Sequence, residues 1–234
     1  DEADRMLEMG FQDALDAVIE AAPKDRQTLL FSATFPKQIK SVADRIMRNP
    51  EMVKVESTHD HSSIQQHFYK VEGTEARDDA LELLLLHHQP ESAVVFCNTK
   101  KEVQNVNDEL SHRGFSVIEL HGDMEQRERD QVLVRFSNKS AAILIATDVA
   151  SRGLDIDDLD LVISYDVTRD PEVHVHRIGR TGRAGKEGLA LSLMAASEVK
   201  KMFAINEYMN TQFETSDISK LKSPYEPKKP NMVT

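Results

Sequence analysis

An α/β fold, with a parallel sheet covered by helices on both faces, is predicted for residues 66–210 of this chain. Short apolar segments alternate there with amphipathic segments of helical length. Apolar runs without strict alternation are typical of strands that are buried on both faces. Strands that alternate with helices along the chain build parallel sheets, so the pattern indicates this fold class rather than a sandwich or a bundle.

Six segments of this region are predicted to be strands and three to be helices. The helix over 100–113 carries Val103, Val106 and Leu110 at helical spacing, and Gly114 lies just past its end. The predicted strands are His67–Val71, Ala93–Cys97, Ser116–Leu120, Ala142–Ala146, Leu159–Ser164 and Leu189–Leu193, and the other two helices are Glu75–His88 and Glu125–Phe136.

Residues 1–57 are predicted to contain two amphipathic helices and one short strand. Apolar residues recur at helical spacing from Phe11 onward until Pro23 ends the helix. The apolar segment Thr28–Phe31 predicts a strand, and a second helix is expected to begin at Pro36. Because no partner strands are visible in this part, we expect it to be loosely held.

Two polar segments are predicted to be linkers. Residues 58–65 are polar and carry histidines, and residues 211–234 contain Pro224, Pro227 and Pro230 near their end. Proline-rich polar sequence favours an extended chain without a core of its own.

Composition excludes several classes of protein. The chain has 234 residues, 40% of them hydrophobic, and a formal charge of 29 − 40 = −11. No apolar run has membrane-spanning length and no signal peptide is visible, so a soluble, cytoplasmic protein without a membrane partner is expected. The single cysteine, Cys97, forms no disulfide framework and is expected to be a core residue in a reducing compartment.

Two kinds of cofactor site are disfavoured by the sequence. Histidines occur in close pairs, but no cysteine or acid completes a zinc-ligand set, so zinc is not expected. No G-x-G-x-x-G follows any predicted strand, which argues against a dinucleotide-binding dehydrogenase.

A basic island stands near the end of the predicted sheet, in the segment His176-Arg177-Ile178-Gly179-Arg180-Thr181-Gly182-Arg183. From His176 to Lys186 there are four cations of the Lys/Arg type and no acid. Guanidinium groups bind phosphate oxygens bidentately, so this segment indicates a site for a polyphosphate or a nucleic-acid backbone. A solvated arginine face is the alternative on these residues by themselves.

Three further segments occur in order with this one: Asp1-Glu2-Ala3-Asp4, Ser32-Ala33-Thr34 and the run from Thr147 to Asp155. Together the four segments closely resemble the DEAD-box family of ATP-dependent RNA helicases, and the resemblance extends from residue 1 to about residue 210. Within the family, Val94–Lys101 and Asp170–His176 are most similar to the bacterial DbpA-like subgroup.

The resemblance implies RecA-like domains. Residues 1–57 would be the end of a first RecA-like domain, residues 66–210 the whole second, or helicase C-terminal, domain, and residues 211–234 a linker toward an RNA-binding domain. The sequence contains no G-x-x-x-x-G-K-[ST] phosphate-binding loop. The chain is therefore interpreted as a fragment that is inactive by itself.

The resemblance also implies ATP and Mg²⁺ as cofactors and assigns residues to ATP hydrolysis. Asp1 would hold Mg²⁺ through its water shell, and Glu2 would position and deprotonate the attacking water. The other assignments are Asp4 bonded to Ser32 and Thr34, Asp155 on the ribose, Arg180 and Arg183 as arginine fingers, and His176 and Arg177 in the coupling between sites.

RNA contacts follow from the resemblance in the same way. The family positions that contact the sugar–phosphate backbone correspond to Thr99, Gly122, Gln126, Arg129, Thr147 and Gly153. Several of these follow predicted strands, and the carboxyl ends of parallel strands meet at one edge of a sheet, where ligands bind. For Gln126 and Arg129, which lie one helical turn apart, an ordinary solvated helix face remains the alternative.

The resemblance implies a monomeric enzyme that unwinds RNA. Its implied substrate is ribosomal RNA, and its implied role is in ribosome assembly. Two alternatives remain open. A DNA translocase of the same superfamily would share the lobes, although the opening tetrapeptide argues against it. A non-catalytic module that binds RNA or protein would account for a chain without the phosphate-binding loop.

Overall fold

The computed structural model describes residues 1–8, 10–32, 35, 37–54, 63–151, 156–182 and 186–221. The chain divides into two compact units, Asp1–Thr58 and His59–Thr234. Among the described residues, no helix is both long enough and apolar enough to cross a membrane.

The first unit contains three helices, α1 (Ala3–Glu8), α2 (Gln12–Ala21) and α3 (Lys37–Ile46). Helix α3 buries Ile39, Val42 and Ala43, whereas α2 buries none of its residues. The strand predicted at residues 28–31 is not formed. A strand needs a neighbour for its backbone hydrogen bonds, and the described part of this unit contains none. Phe31 accepts one such bond, from the Ala3 amide at 3.1 Å, and its side chain stays exposed.

The second unit is built on a sheet of seven strands in the order β3-β4-β2-β5-β6-β1-β7. Every pairing between neighbouring strands is parallel. The strands are β1 Ile64–Lys70, β2 Ala93–Cys97, β3 Val117–Leu120, β4 Ile143–Thr147, β5 Leu161–Ser164, β6 Gly188–Met194 and β7 Thr215–Ser216. The α/β fold class with a parallel sheet is confirmed.

Helices cover both faces of this sheet, as predicted. The helices are α4 Thr74–His88, α5 Lys100–His112, α6 Gln126–Ser137, α7 Asp148–Ser151, α8 Pro171–Ile178 and α9 Val199–Tyr208. In β2, Val95 and Cys97 pack with α4 and α5, whereas Val94 and Phe96 pack with α6, α7 and α8. Alternate residues of a strand point to opposite faces, so an all-apolar strand is what a doubly covered sheet requires. Cys97 is fully buried, which confirms the prediction of a core residue.

The structure differs from the predicted linkers at both ends of this unit. Strand β1 begins at Ile64, inside the segment 58–65, and it pairs along its whole length with β6. Strand β7 and a 3₁₀ turn at Ile218–Lys220 lie inside the segment 211–234, and β7 adds to the edge of β1. Ile218 and Leu221 pack on the same side of the sheet as α4 and α5, so burial rather than local pattern orders this segment.

Candidate functional site

Three of the predicted RNA-contact residues lie at the carboxyl edge of three neighbouring strands. Thr99 follows β2, Gly122 follows β3, and Thr147 is the last residue of β4. Because β3, β4 and β2 are adjacent and parallel, their ends bring these residues to the same edge. Gly153 lies outside the described residues.

Thr99 also has a structural role. It is the N-cap of α5: its Oγ1 accepts a hydrogen bond from the Glu102 amide at 3.2 Å and donates one to Glu102 Oε2 at 2.9 Å. An N-cap threonine satisfies a backbone donor that the helix leaves unpaired. The strand-to-helix junction at this position is therefore fixed by the side chain that the sequence assigns to RNA.

Gly122 differs from the glycines of the arginine segment. A Cβ at Gly122 would meet no atom of the described residues within 4 Å, and its φ lies outside the left-handed region. Gly182 has φ +69°, and a Cβ there would lie 2.7 Å from Ile64 Cγ1. The positive φ and the close packing against Ile64 and Gly188 explain why a glycine stands at position 182.

Gln126 and Arg129 lie in the first turns of α6 but engage different neighbours. Gln126 is exposed and donates from Nε2 to Asp130 Oδ1 at 2.8 Å. Arg129 is half-buried and donates from Nη2 to the carbonyl of Ala150 at 2.9 Å, which ties α6 to α7. Arg129 Nε is buried without a partner among the described residues. Arg129 thus holds two elements together beside the predicted RNA track.

Arg177 is the buried centre of the arginine segment, with 1% of its side chain exposed. Its Nε and Nη2 donate to the two carboxylate oxygens of Asp148 at 2.7 and 2.8 Å. Nη1 donates to the carbonyl of Asp166 at 2.7 Å, and Nη2 also donates to Asn98 Oδ1 at 2.9 Å. The guanidinium lies 5.3 Å from the centre of the Phe96 ring. A fixed planar fork thus joins the ends of β2, β4 and β5.

His176 and Arg180, the other described basic residues of the segment, are more exposed than Arg177. His176 is exposed, and Arg180 is partly exposed with Nη1 3.2 Å from Asp157 Oδ1. Successive helical residues are rotated by about 100° around the axis, so His176 and Arg177 face different directions. A small pocket of about 10 Å³ between α7 and α8 is bordered by Asp148 and by all three basic residues. Arg183 and Asp155 lie outside the described residues.

Asp166 is a buried acid that sequence analysis missed. Its carboxylate accepts the Asn98 amide at 3.2 Å and pairs with Arg77, whose other amino group reaches Glu198 at 2.9 Å. Burial, helped by the charge of Glu102, raises the pKa of Asp166 to about 6. Asn98 comes directly after β2 and Asp166 two residues after β5, and this position at strand ends is the signal that could have revealed them.

The predicted hydrolytic residues lie in the first unit. Asp1 and Glu2 are exposed just before α1, and Asp1 Oδ1 accepts the Glu2 amide at 2.8 Å. The predicted contact between Asp4 and Ser32 is present through the backbone, since the Asp4 amide donates to Ser32 Oγ at 3.1 Å. Thr34 lies outside the described residues. In the described part of the chain, no three His, Cys, Asp or Glu residues are placed to hold a metal together.

Two family models match this chain. One described as "DEAD/DEAH box helicase" matches residues 1–42, and one described as "Helicase conserved C-terminal domain" matches residues 75–185. The first includes the opening tetrapeptide and the Ser32 segment, and the second includes the strand edge and the arginine segment.

Curated relatives align with nearly the whole chain. ATP-dependent RNA helicase DbpA of Escherichia coli K12 is 53% identical over 209 residues, which are 89% of this chain and 46% of DbpA. DEAD-box ATP-dependent RNA helicase CshA of Geobacillus kaustophilus is 42% identical over 215 residues, 92% of this chain and 46% of CshA. The chain spans about half the length of the curated relatives it matches.

Solved structures show the same architecture. Saccharomyces cerevisiae Dbp5 bound to RNA and ADP BeF3 matches with a TM-score of 0.81 at 31% identity, over 93% of this chain and 58% of that one. Escherichia coli SrmB bound to the regulator of ribonuclease activity A matches with a TM-score of 0.64 at 30% identity, over 71% of this chain and 98% of that one. The RecA-like fold expected from the sequence is confirmed, and the chain belongs to the DEAD-box family of RNA helicases.

Proposed function

We propose that this chain supplies the second RecA-like lobe, and part of the first, of an ATP-dependent RNA helicase. The enzyme couples RNA-stimulated ATP hydrolysis to local unwinding of RNA duplexes. The observation that carries the proposal is the buried fork of Arg177, because its partners adjoin both sets of predicted contact residues. Asn98 precedes Thr99 and Asp148 follows Thr147, whereas Arg180 lies three residues beyond Arg177.

RNA binds through its backbone along the carboxyl ends of β2, β4 and β3. Gly122 supports this assignment, because neither its backbone conformation nor its packing against the described residues requires a glycine, while close approach of an RNA strand does. Contacts to phosphate and sugar carry no base information, so most of this track is indifferent to sequence. Contacts to the 2′-hydroxyl distinguish RNA from DNA.

ATP is hydrolysed between this lobe and a complete first lobe. Arg180 and Arg183 stabilise the charge that develops on the transferred phosphoryl group, and Asp155 binds the ribose. Glu2 orients and deprotonates the attacking water. The exposed carboxylate of Asp1 suits Mg²⁺, which accepts one or two carboxylates and keeps several waters; the ion would neutralise phosphate charge.

The arginine segment couples the two ligands. The side chain of Arg177 is held by four hydrogen bonds to three strand ends, so a shift of α8 toward a nucleotide also moves the neighbours of Thr99 and Thr147. His176 belongs to the same coupling, at the exposed side of α8. Closure of the lobes on ATP would thereby change the grip on RNA.

By itself the chain has no appreciable ATPase activity, because its sequence contains no phosphate-binding loop of the G-x-x-x-x-G-K-[ST] type. Its acidic total charge makes the RNA affinity modest and local. From the resemblance to the DbpA-like subgroup we further propose ribosomal RNA as substrate, a role in ribosome assembly, a monomeric state and a cytoplasmic location.

The test uses a protein that joins this chain to a complete first lobe. Arg180→Ala and Arg183→Ala should each lower RNA-stimulated ATP turnover by on the order of 10³-fold, with RNA affinity little changed. Arg169→Ala, at an exposed arginine just before α8, is the control and should leave turnover unchanged. Full turnover in both finger variants would contradict the proposed function.

A second candidate is a module that binds another protein. The solved SrmB chain that this chain covers almost completely is bound to another protein, so a lobe of this size is enough for such a complex in that relative. The DNA translocase alternative is separated by comparing binding of RNA and DNA strands of one sequence. Equal affinity for both would favour it over the helicase.

A further inference from the structure

A cavity of about 530 Å³ opens at the carboxyl edge of the sheet, between the first turns of α4 and α5. Its volume lies within the range of about 300–1,000 Å³ that is typical of small-molecule sites. Thr99 borders it on one side and Gly73 and Thr74 on the other, so it adjoins the proposed RNA track.

The topology of the sheet produces this cavity. Helices α4 and α5 follow β1 and β2, which are separated in the sheet by β5 and β6. The helices after β5 and β6, α8 and α9, pack on the opposite face. The two helices approach each other farther along, where Arg113, just past α5, pairs with Asp79 and Glu82 of α4, so the crevice is confined to their first turns. Crevices of this kind are where ligands bind in parallel sheets.

One wall of the cavity offers a flat, immobilised cation. The Arg77 guanidinium lies 5.4 Å from the centre of the Tyr165 ring, and it is held in place by Asp166 and Glu198. Arg77 and Tyr165 both line the cavity. Unpaired RNA bases stack on the planar guanidinium groups of arginines. Because Asp166 and Glu198 already hold the Arg77 guanidinium in place, this side chain loses little conformational entropy when a base stacks on it.

The other walls offer unused hydrogen-bonding groups. The Asn105 amide and the Lys101 ammonium form no hydrogen bond or ion pair with the described residues. Asp78 accepts the Tyr165 hydroxyl at 2.7 Å through Oδ1, which leaves further lone pairs on this carboxylate. Burial raises the pKa of Asp78 above its ordinary value, so donors to this carboxylate would relieve its desolvation.

The charged side chains that line the cavity favour a neutral base over a phosphate group inside it. Arg77 is already compensated by Asp166 and Glu198, and Asp78 and Glu102 add negative charge against Lys101. A phosphate would meet these acids, whereas a base with N–H donors would bond to them.

We propose that this cavity binds one unpaired RNA base, guanine in preference to the other three, while its sugar and phosphate stay at the mouth beside Thr99 and Lys101. Guanine presents two adjacent donors, N1–H and N2–H, to a single carboxylate, which is the pairing that Asp78 offers. The inference rests on the proposed function and deepens it, because it adds one sequence-reading position to a track that otherwise reads the backbone.

The test is an amide NMR titration of this chain with the four ribonucleoside 5′-monophosphates, which share one phosphate and differ only in the base. The tightest binding is expected for guanosine monophosphate, with shifts at Thr74, Lys101 and Asn105. Equal binding of all four nucleotides, or shifts confined to other sites, would overturn it.

Two variants and a matched control sharpen the result. Asp78→Asn should weaken guanosine monophosphate by about tenfold and leave uridine monophosphate unchanged, because a hydrogen-bonded pair with a charged acceptor is lost. Asn105→Ala, at an exposed helical position, should weaken it without any risk to folding. Asp79→Asn is the control, since the neighbouring carboxylate pairs with Arg113 and does not line the cavity. Equal losses in the Asp78 and Asp79 variants would contradict the proposal.

Two further titrations separate the explanations. A uridine decamer reports on the backbone track: if it fails to bind while guanosine monophosphate still enters the cavity, the proposed function falls and the base site stands. Spermidine and arginine amide test an organic cation as the occupant. Stronger shifts of the cavity amides by either cation than by guanosine monophosphate would overturn the base assignment.

Discussion

His176 and Arg177 are consecutive in the arginine segment, yet one is exposed and the other has 1% of its side chain in contact with solvent. Arg177 joins three strand ends, whereas His176 and, at the carboxyl edge, Gly122 are exposed, and Arg180 is partly exposed beside Asp157. A segment that looks like one anion-binding cluster therefore contains an internal support and outward-facing groups. Substitutions should separate these groups, because the support affects folding and the outward groups affect ligands.

The largest effect on folding is expected at the internal support. Arg177→Ala removes a buried guanidinium from the partly exposed Asp148 and the exposed Asn98. Because water can reach these partners, the cost should lie near the lower end of the range for a buried pair, at about 3 kcal/mol. Urea unfolding of this chain, followed by circular dichroism, measures the change. Arg169→Ala, an exposed arginine, should stay within about 0.5 kcal/mol of the wild type. A loss below about 1 kcal/mol at Arg177 would mean that the buried fork is not a support.

The pH dependence of stability sharpens the same distinction at Asp166. Its pKa is raised from 3.8 to about 6, so the folded state holds this proton more tightly than the unfolded state. Its contribution to stability is therefore full below pH 4 and is lost as the pH rises to about 6, by up to about 3 kcal/mol. Asp166→Asn removes this titration. The unfolding free energy of the variant should therefore rise relative to that of the wild type as the pH increases from 4 to 6. A difference that stays constant across this range would contradict the raised pKa.

A smaller effect is expected at Thr99, which belongs to both groups. Thr99→Ala removes the N-cap of α5 and should cost about 1 kcal/mol, whereas Thr99→Ser keeps the hydroxyl and should cost much less. Thermal unfolding of the two variants measures the difference. Equal stability of the alanine and serine variants would show that the cap adds nothing to this helix.

The smallest effect on folding is expected at Gly122, where a Cβ would meet no atom of the described chain within 4 Å. Gly122→Ala should leave the unfolding free energy within about 0.5 kcal/mol and still weaken RNA binding several-fold, because a methyl group obstructs close approach of the strand. Fluorescence anisotropy with a labelled RNA strand measures the affinity. Unchanged affinity would remove Gly122 from the proposed track.

The helices over 74–88, 100–112 and 126–137 could be predicted to within one residue, since apolar spacing and end signals such as Thr99 and Gly114 agree there. The second half of β1 could be predicted as well, but its first three residues, Ile64-Gln65-Gln66, and the two-residue β7 carry no pattern of their own. Pairing with neighbours that are distant in sequence creates both strands, and a local pattern cannot report such pairing.

Some residues of the candidate site could likewise be placed from the sequence, and others could not. Thr99, Gly122 and Thr147 could be placed because each stands at a strand end, and strand ends share an edge. The inward direction of Arg177 depends on the rotation of α8 and on Asp148, which is 29 residues away. Arg129, which the resemblance assigns to RNA, bonds to the carbonyl of Ala150 instead of standing free at the surface, and that partner is also remote in sequence.

The most direct test of the account is to map where a uridine decamer contacts this chain, by following backbone amide resonances. Shifts are expected at Gly122, Gln126 and Thr147, with weaker binding but an unchanged fold in Gly122→Ala. A decamer that shifts none of these residues, or that shifts only the opposite edge of the sheet, would contradict the central claim that the carboxyl ends of β2, β4 and β3 carry the RNA.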